Sequence, residues 1–175
     1  LFAPIIKHYR NSGIEVVLTA RDHAQTVELL RIAGFDDTFK VIGKHYGKGK
    51  LAKIQGLLVR ARQLTSLIRS LRKSGTNIVV AVSHGSRSMV LAAKWLKIPV
   101  FTMYDYEFTE TQIFNRFSDR VIVPEMIPDA VLDEIGLAAA KRLKYPGIKE
   151  ELYVREFQPT FDFRRQILEA NGFKV

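Results

Sequence analysis

The sequence contains no cysteine. Disulfides, thiolate nucleophiles and cysteine-ligated metals are therefore excluded, and a reducing cytosol suits the chain. No apolar run reaches the roughly 20 residues that a membrane-spanning helix needs, and the first residues show no basic stretch followed by an apolar core and cleavage site, so a cytoplasmic location is expected. His8, His23, His45 and His84 do not fall into a zinc-ligand spacing, and no metal or cofactor is expected. Acid is missing from the middle of the chain. Thr38 through Tyr104 holds no Asp or Glu but thirteen Lys and Arg, within an overall net charge of +9. Such a surface attracts polyanions, anionic lipid headgroups or phosphorylated small molecules, unless it is simply a solvated basic face. Nucleic acid is disfavoured because no reading motif is present.

With 175 residues, 47% of them hydrophobic, the chain is long enough for one core and part of another. Ile78-Val79-Val80-Ala81-Val82 is a continuous apolar run, which predicts a strand covered on both faces of a parallel sheet. Ser83-His84-Gly85-Ser86-Arg87-Ser88 follows, and Met89 to Leu96 continues with helical spacing. In α/β sheets ligands bind beyond the carboxyl ends of the strands. The turn from Ser83 to Ser88 is thus the expected ligand contact: Gly85 allows close backbone approach, Ser86 or Ser88 caps the helix, and free N–H groups favour an anion.

Strand and helix signals alternate elsewhere too. A helix over Leu1 to Arg10 ends at Asn11-Ser12-Gly13, and Ile14 to Ala20 reads as a strand. A chain opening inside a helix predicts that a strand and turn before Leu1 complete the first unit. A second helix runs through Leu30 and Ile32 to Gly34, and Thr38 to Ile42 is a short strand. Gly43 to Lys50 is a glycine- and lysine-rich loop that lacks P-loop spacing, in which Lys44 and His45 are candidates to fold over an anion. Leu51, Ile54, Leu57, Leu58, Ala61, Leu64, Ile68 and Leu71 predict the core face of a long basic helix. Such a helix also suits an anionic membrane surface, although one stripe cannot fully serve both core and lipid.

Ile98 to Met103 is the next predicted strand, and Asp105 and Glu107 follow at its carboxyl end, where an α/β enzyme places a general base. Further on lie a helix around Thr111 to Phe117, a strand at Arg120 to Pro124 and a helix from Pro128-Asp129. Tyr145-Pro146-Gly147 then breaks the regular structure, and Lys149 to Val154 reads as a short strand or linker. A last helix spans Phe161 to Ala170. Residues 1–157 are expected to form a Rossmann-like, doubly wound, mostly parallel α/β domain, with residues 158–175 as linker and terminal helix, the possible start of a second domain.

Several segments together resemble an uncharacterised prokaryotic family that is itself similar to GT-B glycosyltransferases and UDP-N-acetylglucosamine 2-epimerase. They are Leu1-Phe2-Ala3-Pro4-Ile5-Ile6, Thr19-Ala20-Arg21, Val41-Ile42-Gly43-Lys44-His45, Ser83-His84-Gly85-Ser86, Asp105-Tyr106-Glu107 and Tyr145-Pro146-Gly147-Ile148-Lys149-Glu150-Glu151-Leu152-Tyr153. The resemblance implies two Rossmann-like domains around a cleft, this chain being the N-terminal, acceptor-side one, with a nucleotide-sugar as substrate and activity only in a longer protein. Asp105 or Glu107 would then deprotonate the acceptor hydroxyl and His84 would bind substrate. Ser83, Gly85, Ser86, Arg87, Ser88, Lys44, His45, Asn115 and Arg116 complete the expected binding set.

Epimerases of this kind carry an Asp after the His-Gly pair, where this chain has Ser86. A second carboxylate is shifted to Asp105 or Glu107, and a third, just before the Asn-Arg pair, is absent in register at Asn115-Arg116. Sugar transfer is therefore the expected activity. An epimerase-like enzyme and a non-enzymatic anion-binding module are the alternatives.

Overall fold

The computed structural model describes residues 2–35, 38–44, 47, 49–154 and 161–172. The first half runs α1 (Phe2–Asn11), β1 (Leu18–Ala20), α2 (Thr26–Ile32), β2 (Phe39–Val41) and α3 (Lys50–Lys73). The second half runs β3 (Ala81–His84), α4 (Arg87–Trp95), β4 (Val100–Met103), α5 (Gln112–Phe117), β5 (Arg120–Pro124), α6 (Asp129–Glu134), a 3₁₀ turn at Ala139–Lys141 and β6 (Arg142–Tyr145). Two further helices follow, α7 (Glu151–Val154) and α8 (Phe161–Ala170). Every strand pairing is parallel, and helices flank the sheets, as the βαβ alternation predicts.

The expected single sheet is divided. β1 pairs with β2, while β3, β4, β5 and β6 form a separate four-stranded sheet in that order. β3 is therefore an edge strand, and its burial alternates: Ala81 and Ser83 point inward, Val82 and His84 outward. The expectation that the Ile78 to Val82 run is covered on both faces fails for β3, whereas β4 and β5 are the largely buried strands.

β3 also starts later than its apolar run does. Ala81 pairs with Val100, so Ile78 to Val80 would have to pair with the residues before Val100. Those residues are Lys97, in a left-handed turn at φ 54°, Ile98, whose N–H donates to the Ala93 carbonyl at 2.9 Å, and Pro99, which has no N–H to give. The sheet therefore begins at Ala81, whose N–H donates to the Pro99 carbonyl at 2.9 Å.

Two more expectations are corrected. β6 is a strand not among those expected: the four residues Arg142-Leu143-Lys144-Tyr145 are too short a run to stand out after the helical pattern before them. Lys149 to Val154, expected as strand or linker, turns into helix at Glu151, where the Glu151 carboxylate accepts the Ile148 N–H at 3.3 Å. The boundary expected at residue 157 falls outside the described residues.

The main core lies between the four-stranded sheet and its helices, with Val90, Val100, Val121, Val123, Leu132 and Leu137 buried at its centre. Among the described residues, buried polar side chains there are paired, apart from the Ser83 and Tyr145 hydroxyls. The Thr102 and Ser118 hydroxyls hydrogen-bond at 2.8 Å, and Asp119 accepts from the Val100 N–H at 2.8 Å and from Lys94 at 2.7 Å, fixing the start of β4 to α4. Arg142 reaches back from β6 to Asp129 at 3.2 Å and to Asp133, holding α6 against the sheet edge. α3 crosses beside α4 and buries only Ala61, Leu64, Thr65 and Ile68. Leu51, Ile54 and Leu58, expected on the same core face, are exposed; the residues that α3 buries begin at Ala61, where it lies beside α4.

Candidate functional site

Three parallel strands deliver their carboxyl ends to one place. His84 is the last residue of β3, Asp105 lies two residues beyond β4, and Lys149 lies four beyond β6. His84 Nε2 is 3.3 Å from Asp105 Oδ1, and the Lys149 ammonium donates to the other oxygen, Oδ2. Lys149 also approaches Glu150 at 3.6 Å. The side chains of His84 and Asp105 are partly exposed, so the cluster is reachable from solvent.

Local sequence sets up each arm. After β3, Gly85 takes a left-handed φ of 60°, which a residue with a Cβ adopts only with strain, and its N–H donates to the Met103 carbonyl at 3.1 Å. Ser86 then caps α4, its hydroxyl accepting the Met89 N–H at 3.4 Å. After β6, Gly147 is also left-handed, at φ 72°, and a Cβ there would lie 2.4 Å from a Glu151 carboxylate oxygen. The Pro-Gly-x-Lys-Glu-Glu segment thus acquires a physical meaning. Its glycine makes room for the Glu151 cap, and the turn it forms presents Lys149 to Asp105.

Electrostatics set the roles of the three groups. Burial pushes the His84 pKa below its usual 6.5, and the Lys149 charge adds to this, while Asp105 partly offsets both. Burial would raise Asp105, but the hydrogen bond and charge of Lys149, together with His84, hold it below the usual carboxylate value. Lys149 is raised in turn by Asp105, against some desolvation. A carboxylate ion-paired in this way is a weak base at neutral pH. The imidazole is neutral there, and with Nε2 turned to Asp105 its Nδ1 is left as a proton acceptor.

A cleft of about 380 Å³ opens beside the cluster, walled by His84, Gly85, Arg87, Asp105 and Glu110 with the rings of Tyr104, Tyr106 and Phe114, and with Lys53 from α3. Arg87 is ion-paired with Glu110. Tyr145, at the end of β6, has a buried hydroxyl with no hydrogen-bond partner, as does Ser83. Burial and the nearby Asp105 raise the Tyr145 pKa.

Other expected residues lie elsewhere. Ser86 and Ser88 both accept hydrogen bonds from Arg60 Nη1 at 2.8 Å, and Arg60 Nε donates to the Ile42 carbonyl at 2.9 Å. The turn expected to hold an anion is thus held by a guanidinium of the chain itself, whose pKa is lowered by burial and then by the Arg21 charge. Gly43 lies against this arm: a Cβ there would be 2.7 Å from Arg60 Cδ.

Asn115 is buried and bonded within the fold: its amide oxygen accepts from the Tyr104 hydroxyl at 3.1 Å, and its NH₂ donates to Thr111 at 3.3 Å and to the Ile135 carbonyl at 2.9 Å. Arg116 is exposed at the far end of α5, over the Phe117 ring. Glu107 is half-buried and outside the cleft walls, and Lys44 is exposed. His45 lies outside the described residues. Lys149, which joins the cluster, and Arg60, which holds the turn, are not among the residues expected from sequence, and only the family-like segment around Lys149 carries a signal.

The fold class defined by these parallel sheets, with polar groups gathered at their carboxyl ends, is Rossmann-like and of the GT-B kind. Acinetobacter baumannii MurG, a GT-B glycosyltransferase, superposes with a TM-score of 0.61 at 16% identity, over 91% of this chain and 42% of that one. The chain belongs to the DUF354 family, described as a protein family of unknown function, whose model matches residues 1–175. An uncharacterised protein of Methanocaldococcus jannaschii is 31% identical over 137 residues, which is 77% of this chain and 38% of that protein. The chain thus spans about two fifths of the length of the proteins it matches. Among the described residues no helix is long and apolar enough to cross a membrane, and no group of three or more His, Asp or Glu could hold a metal ion.

Proposed function

We propose that this chain is the acceptor-side domain of a GT-B-type enzyme that transfers a sugar from a nucleotide-sugar to a hydroxyl, with His84 as the general base. The observation that carries this reading is the convergence of His84, Asp105 and Lys149 at three strand ends beside an open cleft. In the step envisaged, His84 Nδ1 takes the acceptor hydroxyl's proton. The oxygen then attacks the anomeric carbon, and the nucleoside diphosphate leaves with the electrons of the broken bond. Asp105 positions the imidazole and stabilises it once charged. Lys149 keeps Asp105 ionised and prevents His84 from becoming protonated beforehand. The nucleotide would sit on a second domain across the cleft.

Epimerisation is the weaker reading. Ser86, which stands where the epimerase pattern has an acid, spends its hydroxyl on Met89 and Arg60.

The test is product analysis on the full-length protein with a panel of nucleotide-sugars and hydroxyl acceptors. His84→Gln is expected to lower kcat by roughly 10²- to 10⁴-fold. The rising limb of kcat/KM against pH should have its midpoint below 6.5. Asp105→Asn should move that midpoint lower and Lys149→Met should move it higher. A midpoint unmoved by either substitution removes His84 from the role of base.

A further inference from the structure

The residues Leu51, Ile54, Leu58, Arg62, Ser66, Arg69 and Lys73 follow one another on α3 at steps of three or four, which places them on one stripe along the helix. This stripe adjoins the face that buries Ala61, Leu64, Thr65 and Ile68, which packs beside α4. Its first half is apolar and open to solvent, with Leu51 83% exposed and Ile54 54% exposed. Its second half is basic. Arg62, Ser66, Arg69 and Lys73 wall a groove of about 640 Å³ whose opposite side is Trp95, at the end of α4 and 49% exposed. No carboxylate lines this groove among the described residues, and the sequence offers none between Thr38 and Tyr104. Neighbouring cations are already engaged: Lys94 with Asp119, and Arg72 with the Leu96 carbonyl. Lys53 at the cleft and Lys73 in the groove are separated along the helix by roughly 30 Å at 1.5 Å per residue, so groove and cleft are distinct places.

Such a stripe has two chemistries to satisfy. Nucleic acid or a soluble phosphate would answer the cations and leave the leucines in water. A bilayer interface takes both halves at once: aliphatic side chains enter the headgroup boundary, a tryptophan sits at its level, and cations pair with phosphates. The competition expected between core and lipid is also gone, since α3 keeps one stripe for each. We propose that the exposed stripe of α3, with Trp95, docks the protein on an anionic lipid surface with the helix lying in the membrane plane. This stands whether or not the cleft transfers sugar.

The experiment is flotation of the full chain with phosphatidylglycerol-containing vesicles and with pure phosphatidylcholine vesicles. Co-flotation with the anionic vesicles alone, fading as salt is added, is the expected result. The triple variant R62E/R69E/K73E should bind roughly a hundredfold more weakly or worse, and the neutral R62Q/R69Q/K73Q should fall between it and the unmodified chain. L51S/L58S should bind more weakly while keeping its preference for anionic lipid. All these positions are exposed, and circular dichroism identical to the parent checks that each variant is folded. Trp95 is the only tryptophan, so brominated lipids should quench its emission, and Trp95→Phe should abolish that signal. Equal flotation of the parent and R62E/R69E/K73E overturns the proposal. So does an emission change on adding inorganic pyrophosphate or an oligonucleotide when the anionic vesicles are not bound.

Discussion

The two sheets of this molecule are built from the same βα grammar and end up in different physical circumstances. In the four-stranded half, Leu132 is 0% exposed and Val90, Val100, Val121 and Val123 are equally enclosed. In the two-stranded half, Ile32 is 82% exposed and Leu29, Val41 and Ile14 are also open, with Ile6, Ala20 and Phe35 the buried apolar residues there. Two three-residue strands make a marginal sheet by themselves. What separates the halves is therefore coverage, not propensity. Four adjacent strands give helices a surface to lie on, and two do not. The halves are linked through Arg60, which bonds the end of β2 and the first turn of α4 together.

That contrast can be broken most sharply in the core. Leu132→Ala should cost about 3 kcal/mol in chemical denaturation, since it removes a fully enclosed side chain. Arg60→Met is next, at about 2 kcal/mol, because three hydrogen bonds from a charged donor are lost while some desolvation is relieved. In hydrogen exchange, Arg60→Met should lower protection in β1 and β2 far more than in β4 and β5. Uniform loss across both sheets would show that they open as one unit.

A smaller effect concerns pH. Asp105, Asp119 and Asp129 all titrate below the usual carboxylate value, and all belong to the four-stranded half. A lowered carboxylate stabilises the fold above its unfolded pKa, and that contribution is lost as pH falls through the folded value, here below 3.8. The partner Lys149 works the other way: raised above 10.5, it contributes fully below that pH and loses its contribution as pH rises through the folded value. Asp105→Asn should therefore flatten both limbs of the stability curve. Smallest of all, Ile32→Ser should change stability by less than about 0.5 kcal/mol. A large loss there would mean that this face is covered in solution.

Much of the architecture was legible because helix and strand periods alternate clearly, and because caps such as Gly34 and Ser74-Gly75 lie where helices end. Register was not. β3 begins three residues into its apolar run because Lys97 and Pro99, on another strand's approach, decide where pairing starts. The site was half legible. His84 and Asp105 each follow an apolar strand, a local signal with a physical reason. Lys149 stands 44 residues from Asp105 in a polar segment, marked only by the family-like pattern around it and by no strand or helix signal. Arg60 was hidden differently, as one cation on a basic helix, where only the fold separates a buried guanidinium from a solvated one.

Gly147 gives the cleft a mechanical consequence. The cation paired with Asp105 beside His84 is not carried by a sheet but by a short turn that contains a left-handed glycine and is closed by Glu151 at the start of α7. A rotation of that turn would withdraw Lys149, leave Asp105 facing His84 alone, and make the imidazole more basic. In this arrangement the posture of one helical turn bears on the proton affinity of a side chain three strands away.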